Sequence, residues 1–300
     1  MSPVPKTNPS RKLASQAFDD AYQDFMLSRQ AINCTERTLE FYKYQVFYFL
    51  LWTEGQSVTT PNDITPRLVR QYIAERKQKG LSDRSLNAAA RAIRTLVRFW
   101  HREGYMDSLI VFEIPKLSKK RLPVLDKEQL KKVLRACNIR DRALVMFMAD
   151  SGVRRQEAID LNWEDVNMQT GLVRVKQGKG RKDRATVVGA TTRRALLAYK
   201  RTVKHEAHMP LFQGRTGQRL GGTGVVLIYT RLSKKTGIHV TAHAMRRTFV
   251  ILSLRADMDA GHLQAMLGQT TLDMVYYYAQ MVDEDLIREH RAHSPIDSLS

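Results

Sequence analysis

Three consecutive tyrosines, Tyr276, Tyr277 and Tyr278, lie near the end of a chain of 300 residues. A tyrosine hydroxyl can attack a phosphodiester and hold the broken strand as a covalent ester. The alternative is a tyrosine-rich helix that packs its rings against a core, since buried aromatic rings are common. Successive helical residues point about 100° apart, so only one of the three can face a given site. The triplet therefore predicts strand cleavage only if other residues supply what a phenol lacks.

A phenol that cleaves a phosphodiester without metal needs helpers of three kinds. Its pKa is about 10, so it needs nearby cations. Charge on the non-bridging phosphate oxygens suits bidentate arginines. The departing 5′ oxygen needs a proton, which a lysine or histidine can supply. The sequence offers Arg154 and Arg246 as the arginines, with Lys179 and His243 as the proton-carrying groups.

Local sequence can present each of these side chains, and each also has a plainer interpretation. Gly152 can take the left-handed turn that ends a helix, which places Arg154 at the start of the next helix, where amides face anions. A surface arginine in a helix connection is the alternative. His243 and Arg246 share one helical face, although such spacing also arises by accident. Lys179 lies at a predicted hairpin tip, where an ordinary solvated turn lysine is the alternative.

One β signal surrounds that lysine. Residues 172–176 and 184–188 alternate apolar and polar side chains, and residues 177–182 between them carry two glycines and three cations. This pattern predicts a hairpin with a basic tip. Arg181, in the same turn, is a candidate DNA contact.

Helical patterns account for most of the remaining chain. Four of them within residues 14–106 predict an all-helical module. The second begins after Thr35, the third has Thr65 as its N-cap, and the fourth starts near Ser82.

The fourth helix carries a stripe of arginines. Arg91, Arg94, Arg98 and Arg102 recur at spacings of three and four residues, and Arg84 precedes them. A stripe with so few interspersed acids predicts a phosphate-binding face. A face that is merely solvated is the alternative.

Composition divides the chain into four segments. Residues 1–13 are polar and predict a flexible lead, residues 14–106 form the helical module, residues 107–125 a basic linker and residues 126–300 a second domain. The linker combines prolines with cations, which disfavours a helix, and its Lys119, Lys120 and Arg121 could lie along a DNA backbone. Asp126 with Gln129 predicts a capping box that opens the second domain.

Charge indicates the class of partner. Lys and Arg total 49 against 30 for Asp and Glu, a formal net charge of +19. Such an excess attracts polyanions, of which nucleic acid is the commonest. No run of 18 apolar residues occurs, so we expect no membrane partner.

Cys34 and Cys137 lack metal-ligand spacing and predict buried thiols in a reducing cytoplasm. We find no HExxH, paired CxxC or P-loop and expect chemistry without cofactors.

Four boxes together resemble the tyrosine recombinase (phage integrase) family. The family's TGxRxxEΦxxL box is similar to residues 151–161, and its GKG hairpin turn to residues 178–180. Its HxLR box is met by residues 243–246, with methionine for leucine. Its last box, LGHxxΦxxTxxY, begins here at Leu267, and nine residues beyond Gln269 lies Tyr278.

The resemblance implies a fold and a set of roles. The fold is mainly α with a small β-sheet: an all-helical core-binding domain followed by a mixed α/β catalytic domain. Arg154 and Arg246 would clamp the scissile phosphate, Lys179 would protonate the 5′ oxygen, and His243 would give acid–base help or contact the phosphate. Tyr278 would form a 3′-phosphotyrosine. The ester retains the energy of the broken bond, so rejoining needs no ATP.

Three positions qualify the resemblance. Gln269 stands where the family usually has histidine or tryptophan. Glutamine donates hydrogen bonds but cannot carry a proton, so we expect a slower rate or a rearranged site. Arg247 stands where histidine often follows the clamp arginine, and we expect it to contact DNA or add charge. Glu157 matches a carboxylate that orients its neighbours.

The resemblance implies a site-specific recombinase acting in integration, excision or resolution of DNA elements. It would bind double-stranded DNA with inverted half-sites and assemble as a tetramer, in the cytoplasm of a prokaryote or from a phage or mobile element. Residues 283–290 predict a short helix, which in relatives often docks into a neighbouring subunit; folding back on its own domain is the alternative.

Three other functions remain open on the sequence. A type IB topoisomerase would use similar chemistry without site dependence. A catalytically weak DNA-binding protein on the same fold is favoured by Gln269. A metal nuclease is the third alternative, and loss of the cleavage activity in EDTA would support it.

Overall fold

The computed structural model describes residues 13–56, 58–117, 123–176 and 183–268. The chain divides into two compact units, Met1–Lys120 and Arg121–Ser300. The division falls inside the segment that the sequence predicts as the linker.

Hydroxyl side chains fix where the helices of the first unit begin. Ser15, Thr35, Thr65 and Ser82 each accept a hydrogen bond from the backbone N–H three residues further on, which satisfies a donor that the first helical turn leaves free. The predicted starts after Thr35, Thr65 and Ser82 are therefore confirmed. The helices of the described part are α1 (Gln16–Ala31), α2 (Glu36–Glu54), α3 (Pro66–Gln78) and α4 (Asp83–Arg102), with a 3₁₀ turn at Pro61–Asp63.

Large aromatic side chains fill the core of this unit. Trp100 of α4 is fully buried, and its indole N–H donates to the Ala21 carbonyl 3.1 Å away. Phe25 meets Phe99 edge-on, with 5.5 Å between ring centroids. The apolar face of α4 is thereby committed to the core, which leaves its basic face at the surface.

The second unit is built around the apolar helix α6. The Asp126–Gln129 capping box is present as predicted, with Gln129 N–H 2.7 Å from Asp126 Oδ1. Phe147 of α6 is fully buried and packs edge-on against Phe212. The helices of the described part are α5 (Lys127–Arg135), α6 (Ile139–Ser151), α7 (Arg155–Asp160), α8 (Ala190–Lys200), α9 (Gly222–Thr236), α10 (Ala242–Leu254) and α11 (Ala260–Leu267), with a 3₁₀ turn at Trp163–Asp165.

The predicted hairpin is confirmed by its two strands. β1 (Leu172–Val175) pairs antiparallel with β2 (Arg184–Val187), with Val175 opposite Arg184. Together with the helices this gives the mainly α fold with a small sheet that the sequence predicts. Directly after β1, on the turn side of the hairpin, Lys176 Nζ lies 2.7 Å from Asp165 Oδ1.

Two further observations concern the described residues. None of their helices is long and apolar enough to cross a membrane. Cys34 and Cys137 are free thiols that are half-buried rather than fully buried, and burial raises the pKa of Cys137 to about 11.

Candidate functional site

Arg154 is presented by a sharp turn between α6 and α7. Gly152 ends α6 in the left-handed conformation, with φ of 64°, as predicted. Arg154 then stands as the N-cap of α7. Its backbone N–H lies 2.6 Å from Glu157 Oε2, and its Nη1 lies 2.8 Å from Glu157 Oε1. The side chain is 36% exposed, so one edge of the guanidinium is anchored while the rest is open to a ligand.

Glu157 binds two arginines at once. Besides Arg154, it accepts a hydrogen bond from Arg184 Nη2 at 2.8 Å. Burial by itself would raise the pKa of Glu157, but the hydrogen bonds from Arg184 and Arg154 outweigh burial and hold the pKa below its ordinary value. Glu157 is therefore an ionised acceptor, an arrangement that suits the orienting role the resemblance implies.

Arg246 connects three parts of the second unit. It lies on α10 and is 6% exposed. Its Nη1 donates to the Gly152 carbonyl, and its Nη2 donates to the Leu267 carbonyl 2.9 Å away. The same guanidinium therefore contacts the turn that presents Arg154 and the last residue of α11. Orphan carbonyls at a helix end are natural partners for a cation.

His243 lies at the surface on the same helix as Arg246, as predicted. Partial burial lowers its pKa, and the positive charges of Arg247, Arg155, Arg246 and Arg154 lower it further. The imidazole is therefore neutral at pH 7. The structure thus brings the two clamp candidates and the histidine into one cationic cluster. Such a cluster can bind a phosphate, and its neutral imidazole can accept a proton.

In the sequence, α11 ends shortly before the predicted nucleophile. α11 stops at Gly268, whose φ of 59° is left-handed. Gln269 and the tyrosines, including Tyr278, follow this residue in sequence and lie outside the described residues, as do Lys179 and Arg181. Their roles stay predictions.

Two site residues were missed by sequence reasoning. Arg155, directly after Arg154, contributes to the charge around His243. Arg184, the first residue of β2, has a side chain only 6% exposed. Because Arg155 is adjacent to Arg154 in the sequence, its contribution could have been anticipated. The alternation of β2 gives no sign that Arg184 is buried and paired.

Arg247, expected to contact DNA or add charge, has a partner within the protein. The residue is 8% exposed, and both its Nε and Nη2 donate to the Pro123 carbonyl, at 3.0 and 2.9 Å. Its charge still acts on His243, but two of its donors are already used. Arg247 therefore helps to hold the start of the second unit, and its contact with DNA stays a prediction.

The first unit carries its own basic groove. Its volume is about 470 Å³, and it lies between α2 and α4. Its lining includes Phe41, Tyr42, Leu117 and the arginines Arg84, Arg91, Arg94 and Arg98. Arg102, the fourth arginine of the predicted stripe, is not among the residues that line this groove, and its Nε lies 2.8 Å from Glu103 Oε1. The linker cations Lys119, Lys120 and Arg121 lie outside the described residues.

The chain is similar to known proteins along most of its length. The model of the phage integrase family matches residues 123–285, and that of the phage integrase N-terminal SAM-like domain matches residues 20–104. Tyrosine recombinase XerC of Stutzerimonas stutzeri is 30% identical over 274 residues, covering 87% of this chain and 90% of the relative. Tyrosine recombinase XerA of Thermococcus kodakarensis is 27% identical over 267 residues, covering 87% and 91%.

Solved structures share the fold. A lambda integrase dimer bound to a COC′ core site superposes with a TM-score of 0.73 at 18% identity, covering 86% of this chain and 94% of the other. The Tn1549 transposon integrase in complex with a circular intermediate DNA gives 0.73 at 16% identity, covering 86% and 93%.

Proposed function

Because the chain belongs to the phage integrase family, we propose that it is a site-specific recombinase that cleaves and rejoins DNA through a 3′-phosphotyrosine at Tyr278. One observation supports the assignment of roles to individual residues. The Arg246 guanidinium joins the Gly152 carbonyl, two residues before Arg154, to the Leu267 carbonyl at the end of α11. A phosphate bound at the arginines would therefore lie near the end of α11, the helix that precedes Tyr278 in the sequence.

The proposed reaction is a pair of transesterifications. The Tyr278 oxygen forms a bond to phosphorus while the bond to the 5′ oxygen breaks, and Lys179 gives that oxygen a proton. His243, whose pKa lies below its ordinary value in the free protein, would accept the phenolic proton or hydrogen-bond the phosphate. Rejoining reverses the step, with a 5′ hydroxyl displacing the tyrosine. Phosphoester bonds are exchanged one for one, so the balance requires no nucleotide.

The two arginines stabilise the charge that builds on the phosphate. Arg154 and Arg246 are both anchored in advance by protein acceptors. Pre-anchored donors need little reorganisation during the reaction. Removing one such donor typically costs about 10²–10³-fold in rate. We therefore expect Arg154→Ala and Arg246→Ala to slow cleavage by at least that factor.

The proposed partner is double-stranded DNA with inverted half-sites, met in the cytoplasm and bound by a homotetramer. The net charge of +19 supports a polyanionic partner, and the arginine-lined groove of the first unit supports contact with its backbone. In the second unit, an apolar groove of about 630 Å³ supports contact between subunits. Val187 and Met258 line it and are 45% and 36% exposed.

A nicked suicide substrate tests the nucleophile. Tyr278→Phe should bind DNA as the wild type does and form no covalent complex. Tyr276→Phe and Tyr277→Phe are the matched controls and should still form it. A covalent complex with Tyr278→Phe would refute the assignment.

A catalytically weak DNA-binding protein is the second candidate, and Gln269 is the observation that favours it. Gln269→His should speed cleavage if this position takes part in the reaction. A wild type that binds DNA but forms no adduct would favour the second candidate. Relaxation of plasmids without a cognate site would instead indicate a topoisomerase.

A further inference from the structure

Arg184 is a charged side chain in an unusual place. It is the first residue of β2, opposite Val175 in the strand pair next to the hairpin turn, and its side chain is only 6% exposed. Burying a guanidinium is costly unless its donors and its charge are matched. The partners that match it therefore indicate what the residue is for.

The guanidinium of Arg184 reaches in two directions. Nη2 lies 2.8 Å from Glu157 Oε2 on α7, and Nε lies 2.9 Å from the Met266 carbonyl on α11. The third nitrogen, Nη1, is buried without an acceptor among the described residues. A buried donor left without a partner reduces stability. A buried donor of this kind calls for an explanation, and a functional role is one of the recognised explanations.

Each partner of Arg184 belongs to the proposed active site. Glu157 is the carboxylate that holds the backbone and side chain of Arg154, at 2.6 and 2.8 Å. The Met266 carbonyl precedes the Leu267 carbonyl that accepts from Arg246. One guanidinium therefore links the first clamp arginine to the helix end that the second clamp arginine also holds.

We propose that Arg184 is a positioning residue that fixes Arg154, through Glu157, relative to the end of α11. The phosphate clamp and the end of α11 are then held in one fixed arrangement. This inference rests on the proposed function, because it assigns Arg184 a part in the same cleavage step. Arg184 itself touches neither phosphate nor nucleophile in this assignment.

The arrangement needs arginine rather than lysine. The planar guanidinium presents Nε and Nη2 as separate donors with fixed directions, whereas a lysine ends in a single nitrogen. Arg184→Lys keeps the positive charge beside Glu157 but cannot span to the Met266 carbonyl with the same geometry. Arg184→Gln removes the charge and the charged hydrogen bond that help to hold the pKa of Glu157 down, so the pKa of this carboxyl rises.

The test is single-turnover cleavage of a nicked suicide substrate by the full chain at saturating protein, measured across pH. Arg184→Gln should slow cleavage about 10²-fold at pH 7, the loss that a displacement of about 1 Å can cause. Its DNA affinity should stay near the wild-type value. Because the pKa of Glu157 rises, the fall in rate on the acid side should begin at higher pH. Arg174→Gln, an exposed arginine on the partner strand β1, is the matched control and should cleave like the wild type.

A double mutant separates positioning from general damage. If Arg184 acts through Glu157, Arg184→Gln combined with Glu157→Gln should be little slower than the slower single variant. A double variant whose loss of cleavage rate equals the product of the two single losses would overturn the proposal. A wild-type cleavage rate and pH profile for Arg184→Gln would also overturn it.

Thermal unfolding shows whether each variant is folded. If Arg184→Gln does not fold, Arg184→Lys decides: a slower rate supports the proposal, and a wild-type rate overturns it. Adduct formation by the wild type in the same assay reports separately on the proposed function.

Discussion

Replacing Gly152 by alanine should destabilise the second unit more than the same change at Gly237. Both glycines end helices in the left-handed region, with φ of 64° and 71°, so both variants carry the left-handed cost of about 1–2 kcal/mol. Their surroundings differ. A β-carbon at Gly152 would overlap the Phe249 ring and lie 3.0 Å from Leu267 Cδ2, whereas one at Gly237 would meet nothing within 4 Å.

The difference between the two variants isolates the steric conflict. Overpacking a buried site costs about 1–3 kcal/mol, and about 2–4 °C is lost per kcal/mol in a unit of this size. Gly152→Ala should therefore melt about 2–12 °C below Gly237→Ala when unfolding is followed by circular dichroism. Cleavage should also slow only in Gly152→Ala, because the shifted turn carries Arg154.

A second substitution tests the cause. Phe249→Ala removes the ring that the new β-carbon would meet, so Gly152→Ala should cost less in that background, with a coupling of about 1–3 kcal/mol. Equal melting temperatures for Gly152→Ala and Gly237→Ala would refute the idea that the Phe249 ring confines this turn.

Three further predictions concern the site, the DNA groove and the assembly. In an NMR pH titration of the free protein, the pKa of His243 should lie below 6.5, because partial burial and neighbouring guanidiniums oppose its charge. Bound DNA should raise this pKa. A pKa above 6.5 without DNA would contradict the cationic cluster. Arg98→Ala should reduce the slope of log affinity against log salt by about 1 if its guanidinium binds a phosphate. Arg102→Ala is the control and should leave the slope unchanged; equal slopes for the two variants would contradict the groove. Val187→Glu should weaken the tetramer on DNA, as measured by analytical ultracentrifugation, and should leave the melting temperature unchanged. An unchanged tetramer would exclude the apolar groove as a subunit contact.

Local signals in the sequence were enough for several element boundaries. Thr35, Thr65 and Ser82 cap helices because a hydroxyl accepts from a backbone N–H three residues away, and that interaction depends on a few neighbouring residues. The turn at Gly152 and the strand alternation are equally local. The placement of Arg154, His243 and Arg246 followed from these elements once the family motifs had selected them.

Contacts between distant parts of the chain were not predictable in this way. Arg184 meets Glu157 across 27 residues, and Arg247 meets Pro123 across 124. Neither spacing leaves a pattern in a short window, because packing of the whole unit decides which side chains meet. Arg102 fits the helical stripe, and its pairing with Glu103, an interaction between neighbouring residues, was not anticipated. The roles of Lys179, Gln269 and Tyr278 stay predictions.

The bond between Arg247 and the Pro123 carbonyl makes the start of the second unit a mechanical anchor. Leu125 adds a second attachment to the same helix, since its N–H lies 3.0 Å from Thr248 Oγ1. Both attachments fall on the turn of α10 that also carries Arg246. Tension applied to the chain ahead of Pro123 is therefore delivered to the turn that holds the clamp arginine.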